Sequence, residues 1–258
     1  MQWVTVLGSG ITGTCYVLRE DAELAELIPP ERRQVALDSC TATELRLPTG
    51  QGVSDSSPLQ NGLGLLVLSG LLIRRVGIDG RFGAELLGEG DLLRPWGWEV
   101  DSPTLPIEMT WSILEPTRLV LLDDEFVQRS LGTFPELASA LVGRAMQRAR
   151  NLAVNMAIVH QARVDVRLHM LLWHLAGRWG RVRSEGTVLR MRLTHAVLAD
   201  LVAARRPTVT TALSDLVRAG LVRSSGDEWL LFGEPPVELG EASSGATFHQ
   251  PPRVASRS

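Results

Sequence analysis

One corner of the chain concentrates side chains that can bind a polyanion. In the segment AARRPTVTTALSDLVRAGLV (203–222), Arg205 and Arg206 stand directly before Pro207, and three threonines follow within about one helical turn. Guanidinium groups bind phosphate oxygens and can bind guanine O6 and N7 with two hydrogen bonds. Threonine hydroxyls donate to phosphate oxygens, and threonine methyls can contact thymine. These residue types are those of a surface that reads double-stranded DNA.

Two helices must position this corner. Thr194 is a predicted N-cap for a helix over HAVLADLVAA. Pro207 suits the first position of the next helix, because its missing N–H would have no partner there, and Gly220 is typical of the residue that ends such a helix. The segment LVRSSGDEWLLF then predicts a β-hairpin around Ser225–Gly226. Helix, tight turn, helix and hairpin follow one another as in a winged helix-turn-helix, whose second helix enters the major groove.

The second helix has two different faces. Val209, Leu213 and Leu216 recur at helical spacing and predict a core face, while the opposite face carries short polar side chains that leave room for a groove. The alternative is an ordinary corner between two helices with a solvated face. The residues expected to contact DNA are Thr194, Arg205, Arg206, Pro207, Thr208, Thr210, Thr211, Ser214 and Arg218.

The charge of the chain is unevenly distributed. The 258 residues carry a formal net charge of −3, and all 26 basic residues are arginine. Residues 1–128 hold 19 acidic residues and nine arginines. Residues 129–159 hold four arginines and one glutamate, and residues 160–233 hold 11 arginines and six acidic residues. This asymmetry predicts that only the back half meets a polyanion, although charge alone does not exclude chance clustering.

Compartment and cofactor class follow from what the sequence lacks. It has no run of about 18 apolar residues that would predict a membrane span, and its N-terminus has no basic segment typical of a secretory signal. Its two cysteines, Cys15 and Cys40, match neither a disulfide framework nor a metal-binding spacing. The five histidines show no spacing typical of a zinc site. We therefore expect a cytoplasmic protein without a metal ion.

The front half has the texture of a β-domain. From about Thr43 to Asp123, short β-type runs alternate with turn residues, and Asp79–Gly80 between two of these runs predicts a hairpin. The fold class predicted is α+β, with an N-terminal β jelly roll, a long helix and a C-terminal winged helix-turn-helix. The predicted divisions are a flexible tail over 1–15, a jelly-roll sensor domain over 16–128, a dimerisation helix over 129–160, a DNA-binding domain over 161–233 and a disordered tail over 234–258.

The helix that starts near Pro135 carries a narrow apolar seam. Ala138 begins a series that recurs every three or four residues over roughly three heptads, a pattern typical of helices that pair with a copy of themselves. The alternative is packing on the β-domain of the same chain. The residues expected at the dimer interface are Leu141, Ala145, Ala149, Leu152, Met156 and Val159.

The chain resembles the Crp/Fnr family of bacterial transcription regulators over roughly residues 16–233. The segment LTHAVLADLVAARRPTVTTALSDLVRAGLVRSSGDEWLLFG carries the more specific part of this resemblance. The resemblance implies that Arg206, Pro207 and Thr211 take base-reading positions. Pro207 replaces an acidic residue found in many members, and Thr211 replaces a common arginine, so a different target sequence is expected. The implied partners are double-stranded DNA, a second copy of the chain and RNA polymerase.

The front half resembles the cyclic-nucleotide-binding-like domain of the same family around FGAELLGEGDLLRPW (82–96). This implies an effector site at Gly83, Glu85, Leu86, Arg94 and Trp96. The Arg–Ser or Arg–Thr pair that holds a cyclic phosphate has no counterpart, because Pro95 follows Arg94. Loss of such a charge-assisted contact argues against cyclic AMP. The effector is therefore not identified.

Two other classes of protein compete with a DNA-binding regulator. Gly8, Gly10 and Gly13 form a G-x-G-x-x-G pattern that would suit an NAD-type enzyme, but no alternation of strands and helices follows that could build the parallel sheet. We therefore predict that the chain is not an enzyme. The second competitor is a regulatory subunit that senses a small molecule and acts through protein contacts without DNA.

Overall fold

The computed structural model describes residues 11–50, 52–54, 62–94 and 107–236. The chain divides into an N-terminal unit, comprising Met1–His160 and Arg192–Arg206, and a C-terminal unit, comprising Gln161–Met191 and Pro207–Ser258. The domain boundary expected at residue 160 stays a prediction. Residues 192–206, expected in the DNA-binding domain, are instead grouped with the N-terminal unit. Within the described part of the chain, no helix is both long and apolar enough to cross a membrane.

The described residues form both α-helices and β-strands. The helices are α1 (Val17–Glu20), α2 (Ala22–Glu26), α3 (Pro30–Ser39), α4 (Asp124–Phe126), which continues into a π-helical turn (Val127–Leu131), α5 (Pro135–Val159), α6 (Val164–Trp179), α7 (His195–Leu201) and α8 (Arg206–Arg218). The strands are β1 (Ile11–Tyr16), β2 (Thr41–Leu47), β3 (Gly52–Ser54), β4 (Gly64–Ile78), β5 (Arg81–Gly88), β6 (Leu92–Leu93), β7 (Ile107–Leu122), β8 (Arg181–Arg183), β9 (Gly186–Arg190), β10 (Val222–Ser225) and β11 (Glu228–Leu231).

The N-terminal unit is built on a seven-stranded sheet. Its order is β1-β2-β7-β4-β5, with β3 beside β7 and β6 beside β4. The pairings of these strands are antiparallel. The α+β class, with an N-terminal antiparallel sheet domain, is confirmed.

The first strand corrects the predicted N-terminal tail. Residues 11–16 form β1 and pair with β2, so the prediction of a flexible tail is wrong for residues 11–15. The two glycines of GITGT hide the strand pattern, but Cys15 is buried in the core and supplies the packing that holds β1. Residues 1–10 of the predicted tail lie outside the described residues, as do residues 237–258 of the predicted C-terminal tail.

The longest strands are buried on both faces. In β4, Leu65 and Val67 belong to a core cluster inside the sheet, whereas Leu66 belongs to a second cluster that it shares with the surrounding helices. In β7, Leu119 and Val120 divide between the two clusters in the same way. Because alternate side chains point to opposite faces, such strands appear in the sequence as continuous apolar runs.

Two turns in the sheet depend on backbone that glycine favours. Asp79 and Gly80 have φ values of 53° and 70°, which confirms the hairpin predicted between β4 and β5. Gly70 has φ of 92°, and a Cβ there would lie 2.3 Å from the carbonyl oxygen of Pro116. The pairing of β4 with β7 shifts register on both sides of Gly70, so the glycine permits the close approach at this bulge.

Helix α5 has one face on its own unit. Leu137 and Leu141 are buried in the cluster that includes α1 to α3, and Arg144 binds both carboxylate oxygens of Asp21, the N-cap of α2. Leu141 was expected at the dimer interface, and that expectation is wrong because it is only 2% exposed inside this core. Residues three and four positions apart lie on the same face of a helix, so both Leu141 and Val142 fit the spacing of the apolar residues that follow them.

A stripe of exposed and half-buried apolar residues runs along another side of α5. We call it the α5 stripe, and it starts at Val142 rather than Leu141. Val142 is 61% exposed and Met156 is 62% exposed. The alternating three- and four-residue spacing is that of heptad positions a and d. The stripe consists of Val142, Ala145, Ala149, Leu152, Met156 and Val159.

The C-terminal unit combines α6 and α8 with a four-stranded sheet in the order β10-β11-β9-β8. The hairpin of β10 and β11 confirms the predicted wing, although its turn lies at Gly226–Asp227, one residue later than expected. Trp229 of β11 is buried and donates its indole N–H to the carbonyl of Met191 at 3.2 Å. Gly220, with φ of 69°, ends α8 as predicted.

The position of Leu141 leads to a stability prediction. Replacing Leu141 by Ala removes a buried side chain and leaves a cavity, which we expect to lower the free energy of unfolding by about 2–5 kcal/mol. Urea unfolding at a fixed protein concentration measures this difference. Gln147→Ala, an exposed position on the same helix, is the control and should change the value by no more than about 0.5 kcal/mol. Equal effects of the two substitutions would contradict the burial of Leu141.

The partly buried His174 of α6 leads to a pH prediction. Burial lowers its pKa below the ordinary value, and Arg178 lowers it further. Below about pH 6.5 the unfolded chain therefore binds a proton at His174 more readily than the folded chain. Stability conferred by neutral His174 is present above that pH and is lost as the pH falls. We expect the free energy of unfolding to fall more steeply between pH 7 and pH 5 in the wild type than in His174→Gln. Parallel pH profiles would show that His174 does not contribute.

Candidate nucleic-acid interface and ligand pocket

Helix α8 separates an apolar face from a hydroxyl face. Val209, Leu213 and Leu216 are buried together with Ala212. The opposite side is exposed, as the sequence predicts, with Thr211 and Ser214 at its centre. Their hydroxyls donate to carbonyls one turn earlier, at 3.3 Å and 3.0 Å, and both still have lone pairs that can accept a further bond. The predicted DNA-contacting residues of α8 that are exposed are Arg206, Pro207, Thr208, Thr210, Thr211, Ser214 and Arg218.

The start of α8 favours an anion. The helix begins at Arg206, and its first turn holds no acidic residue. The N-terminal end of a helix carries a partial positive charge and free N–H groups, which bind phosphate. Arg205 and Arg206 are both exposed and add two full positive charges at this end.

Two acidic residues lie beside the hydroxyl face, and arginines of the same unit neutralise both. A groove of about 510 Å³ is lined by Asp165 and Asp215 together with Pro207, Thr208 and Thr211. Arg163 binds Asp165 through two bonds, of 2.5 Å and 3.1 Å, and holds the pKa of that carboxyl below its ordinary value. Arg218 binds Asp215 at 2.8 Å. A phosphate approaching this groove therefore meets paired rather than isolated carboxylates.

Exposed arginines on the sheet of the C-terminal unit were missed by the sequence interpretation. Arg223 of β10 is exposed and lies over the ring of Phe232, with 5.4 Å between the guanidinium carbon and the ring centroid. Arg181 and Arg183 are exposed on the edge strand β8. The alternation of arginine with other residues in RVR and VRSS is the sequence signal that could have revealed them.

Thr194 and helix α7 belong to the N-terminal unit. Thr194 is the predicted N-cap, and its hydroxyl accepts the N–H of Val197 at 3.2 Å. Within the same unit, Arg75 of β4 donates to Asp200 of α7 at 2.7 Å. The side chain of Glu115 accepts the backbone N–H of Arg192 at 3.3 Å. These bonds explain why residues 192–206 group with the sheet. Whether Thr194 contacts DNA stays a prediction.

The residues predicted for the effector separate in the structure. Gly83 and Glu85 line a cavity of about 320 Å³. Leu86 is buried and Arg94 is exposed, and neither lines that cavity. Trp96 lies outside the described residues. The structure thus brings together two of the five predicted positions.

The same cavity has walls that the sequence interpretation did not include. Helix α5 contributes Leu152, Asn155, Met156 and Val159, and α7 contributes Leu201. These residues are far from β5 in the chain, so no local motif points to them.

Glu85 is the centre of a buried ion-pair cluster. Its carboxylate binds Arg74 of β4 at 2.5 Å and Arg148 of α5 at 2.7 Å. Arg74 is 4% exposed and Glu85 is 8% exposed. Asn155 of α5 donates from Nδ2 to the carbonyl of Ala84 at 3.0 Å. The cluster therefore joins β4, β5 and α5 directly beside the cavity.

Neither cysteine has the environment of a reactive thiol. Cys15 and Cys40 are buried and free, and burial raises the pKa of Cys15 to about 11 and also raises that of Cys40. A thiol with a raised pKa holds little thiolate at neutral pH. No group of three or more metal-ligating side chains is found among the described residues.

Comparison with known proteins finds a family model that matches the C-terminal part of the chain. Residues 166–231 match the family model of the Crp-like helix-turn-helix domain. A CRP-like cAMP-activated global transcriptional regulator of Mycobacterium tuberculosis is 32% identical over 116 residues, which are 44% of this chain and 51% of the relative. The chain thus spans about half the length of this curated relative.

Solved structures share the fold. A cyclic nucleotide-binding domain containing protein of Listeria monocytogenes has a TM-score of 0.63 at 13% identity, covering 81% of this chain and 96% of the other. A CooA mutant of Carboxydothermus hydrogenoformans has a TM-score of 0.60 at 17% identity, covering 90% and 96%. The predicted α+β fold with a C-terminal helix-turn-helix is therefore confirmed.

The matched relatives are a global transcriptional regulator and a global nitrogen regulator. These names support the prediction of a regulator over the NAD-enzyme alternative. The helix-turn-helix match and the mycobacterial relative together show that this chain carries a Crp-like helix-turn-helix domain and is similar to regulators of the Crp/Fnr family.

Proposed function

We propose that this chain is a cytoplasmic transcription regulator that reads a two-fold DNA site as a homodimer, under the control of a small-molecule effector. The observation that carries the proposal is the hydroxyl face of α8. Its core side is anchored by Val209, Leu213 and Leu216, while the exposed side is narrow and carries Thr211 and Ser214. A recognition helix needs such a face to enter the major groove, which is about 12 Å wide.

The electrostatics favour the same surface. Arg205 and Arg206 add charge to the positive end of the α8 dipole, and the nearby Asp165 and Asp215 are each paired with an arginine. Phosphate contacts supply most of the sequence-independent affinity of such proteins. Hydroxyls and guanidinium groups at the base edges then supply discrimination.

The α5 stripe supports a homodimer. A row of exposed and half-buried apolar side chains at heptad positions a and d on a 25-residue helix suits a partner helix, and the same helix from a second copy supplies one with matching spacing. Two copies would present two α8 helices to one duplex. Half-sites one helical turn of DNA apart would then be expected.

A function through protein contacts is the second candidate. Val182 is 87% exposed on the edge strand β8, between two exposed arginines. Such an edge can pair with a strand of another protein. A contact with RNA polymerase, implied by the family resemblance, is compatible with DNA binding. A regulatory subunit that never binds DNA is not, and the first experiment below separates the two.

Replacing Arg205 and Arg206 by Ala should weaken DNA binding in a salt-dependent manner. For the wild type we expect the logarithm of the affinity to fall linearly with the logarithm of salt concentration. Removing two phosphate contacts per protomer from the dimer should reduce that slope by up to about four. Gel-shift titrations at several salt concentrations, using a fragment chosen by genomic selection, measure both quantities.

The control is Arg129→Ala, an exposed arginine far from α8 in the sequence. It should leave affinity and slope unchanged. If the wild type selects no DNA, or if the double variant binds with wild-type affinity and slope, the proposed DNA surface is wrong. In the first case the protein-contact candidate takes its place.

Replacing Ala149 by Glu should dissociate the dimer. Ala149 is exposed in the middle of the α5 stripe, so the substitution would bury an unpaired charge against the partner helix. We expect the dimer dissociation constant to rise by about a hundredfold or more, measured by sedimentation equilibrium. Gln147→Glu places the same charge on an exposed position outside the stripe and should leave the dimer intact. A dimeric A149E variant would show that the interface lies elsewhere.

A further inference from the structure

The cavity beside Glu85 has the size and lining of a small-molecule site. Its volume is about 320 Å³, at the lower end of the range of about 300–1,000 Å³ usual for such sites. Most of its wall is apolar, formed by Val76 and Ala84 of the sheet, Leu152, Met156 and Val159 of α5, and Leu201 of α7. A molecule that enters it must itself present mainly apolar surface.

The charges around the cavity disfavour an anion. The two carboxylates in its lining, Glu85 and Asp200, are already bound by arginines, and Arg74 is the one guanidinium in that lining. An anionic ligand would have to draw an arginine away from a carboxylate and leave that carboxylate buried. Leaving a buried charge without its partner is strongly unfavourable.

One buried acceptor beside the cavity needs a donor. The Oδ1 atom of Asn155 is buried and has no hydrogen-bond donor within the described part of the chain, while Nδ2 of the same amide is engaged by Ala84. Asn155 lines the cavity, and the last torsion of an amide side chain is soft, so a small rotation can turn Oδ1 towards a ligand. A hydroxyl or N–H group on the ligand would satisfy this acceptor, which is otherwise costly to bury.

We propose that this cavity binds a neutral, mainly apolar molecule that donates one hydroxyl or N–H hydrogen bond to Asn155. The inference deepens the proposed function, on which it rests, by naming the chemical class of the effector. Of the positions implied by the family resemblance, Gly83 and Glu85 line this cavity and Leu86 and Arg94 do not, and α7 adds a further wall. The ligand would contact α7 directly through Leu201.

The second copy of the chain borders the same cavity. Leu152, Met156 and Val159 belong both to the cavity wall and to the α5 stripe, so side chains of a partner helix are the competing occupant. In a coiled coil, each side chain of one helix packs into a hole formed by residues of the facing helix only. The cavity here is also walled by the sheet and α7, so its volume favours a separate molecule as the occupant. The experiment below decides between the two.

The test uses the full-length protein and four probes. These are 2-naphthol, which is neutral and donates a hydroxyl, naphthalene, which lacks the donor, 2-naphthoate, which is anionic, and cyclic AMP. We expect 2-naphthol to bind about five- to tenfold more tightly than naphthalene, as one hydrogen bond to a buried acceptor provides. We expect weaker binding still for 2-naphthoate and cyclic AMP. Fluorescence titration measures the naphthalene derivatives, and calorimetry measures cyclic AMP.

Two variants link binding to this cavity. Asn155→Leu removes the acceptor and should bring 2-naphthol down to the affinity of naphthalene. Val76→Phe fills the cavity and should abolish the binding of both, while Ile78→Phe on the same strand, outside the cavity and exposed, should bind as the wild type does. Circular-dichroism melts show which variants are folded, and if Val76→Phe is not, the comparison of Asn155→Leu with the wild type still decides.

The result that overturns the inference is tighter binding of 2-naphthoate or cyclic AMP than of 2-naphthol, no binding of 2-naphthol, or unchanged selectivity in Asn155→Leu. If no probe binds and Val76→Phe alters the sedimentation of the dimer, partner side chains occupy the cavity instead. Gel shifts without probe are run in parallel. A protein that binds 2-naphthol but no DNA contradicts the proposed function alone, whereas one that binds DNA but no probe contradicts this inference alone.

Discussion

A single buried carboxylate between two arginines determines how the N-terminal unit holds together. Glu85 on β5 binds Arg74 on β4 and Arg148 on α5, and two of these three groups are almost fully buried. Removing charges from water is costly, and the cost is offset only when every partner is in place. The cluster therefore tolerates one arrangement of the three elements. Any slide of α5 along the sheet would leave a charged group buried without its partner.

This constraint also orients the two sides of α5. Arg144, Arg148 and Asn155 lie at helical spacing and all reach groups of the same unit, namely Asp21, Glu85 and the carbonyl of Ala84. Leu137 and Leu141 are buried on this same side, so the face that packs on the unit mixes apolar and charged residues. Exposed polar residues, among them Gln147 and Arg150, lie outside the α5 stripe, which remains as an apolar row on the exposed part of the helix.

Local chemistry explains which features could be predicted from the sequence. The hydroxyl face of α8, the Thr194 cap, the hairpins and the glycine that ends α8 each depend on residues within a few positions of one another. Whether Val142 or Leu141 is the exposed residue depends on tertiary packing, because both positions fit the three- and four-residue spacing of the helix. Strand β1 is held by pairing with β2 more than 20 residues away, and Gly13 within the strand and Gly10 directly before it in the sequence hide the pattern. The cavity joins β4, β5, α5 and α7, which no local pattern connects.

The division of the chain into units gives α7 a particular position. Helix α7 begins with the Thr194 N-cap, as the first helix of a helix-turn-helix does. The contacts of this segment nevertheless group it with the sheet, because Arg75 binds Asp200 of α7 and Glu115 accepts the backbone N–H of Arg192, three residues before α7. The boundary between units falls between Arg206 and Pro207, at the start of α8. Only Val202–Arg205 separate the end of α7 from α8. Ala203 in this connection has φ of 49°, a backbone conformation that costs a non-glycine residue free energy. Leu201 directly precedes this connection and lies two residues before Ala203 and five before Arg206, the first residue of α8. A molecule that changes the packing of Leu201 therefore acts next to the start of α8.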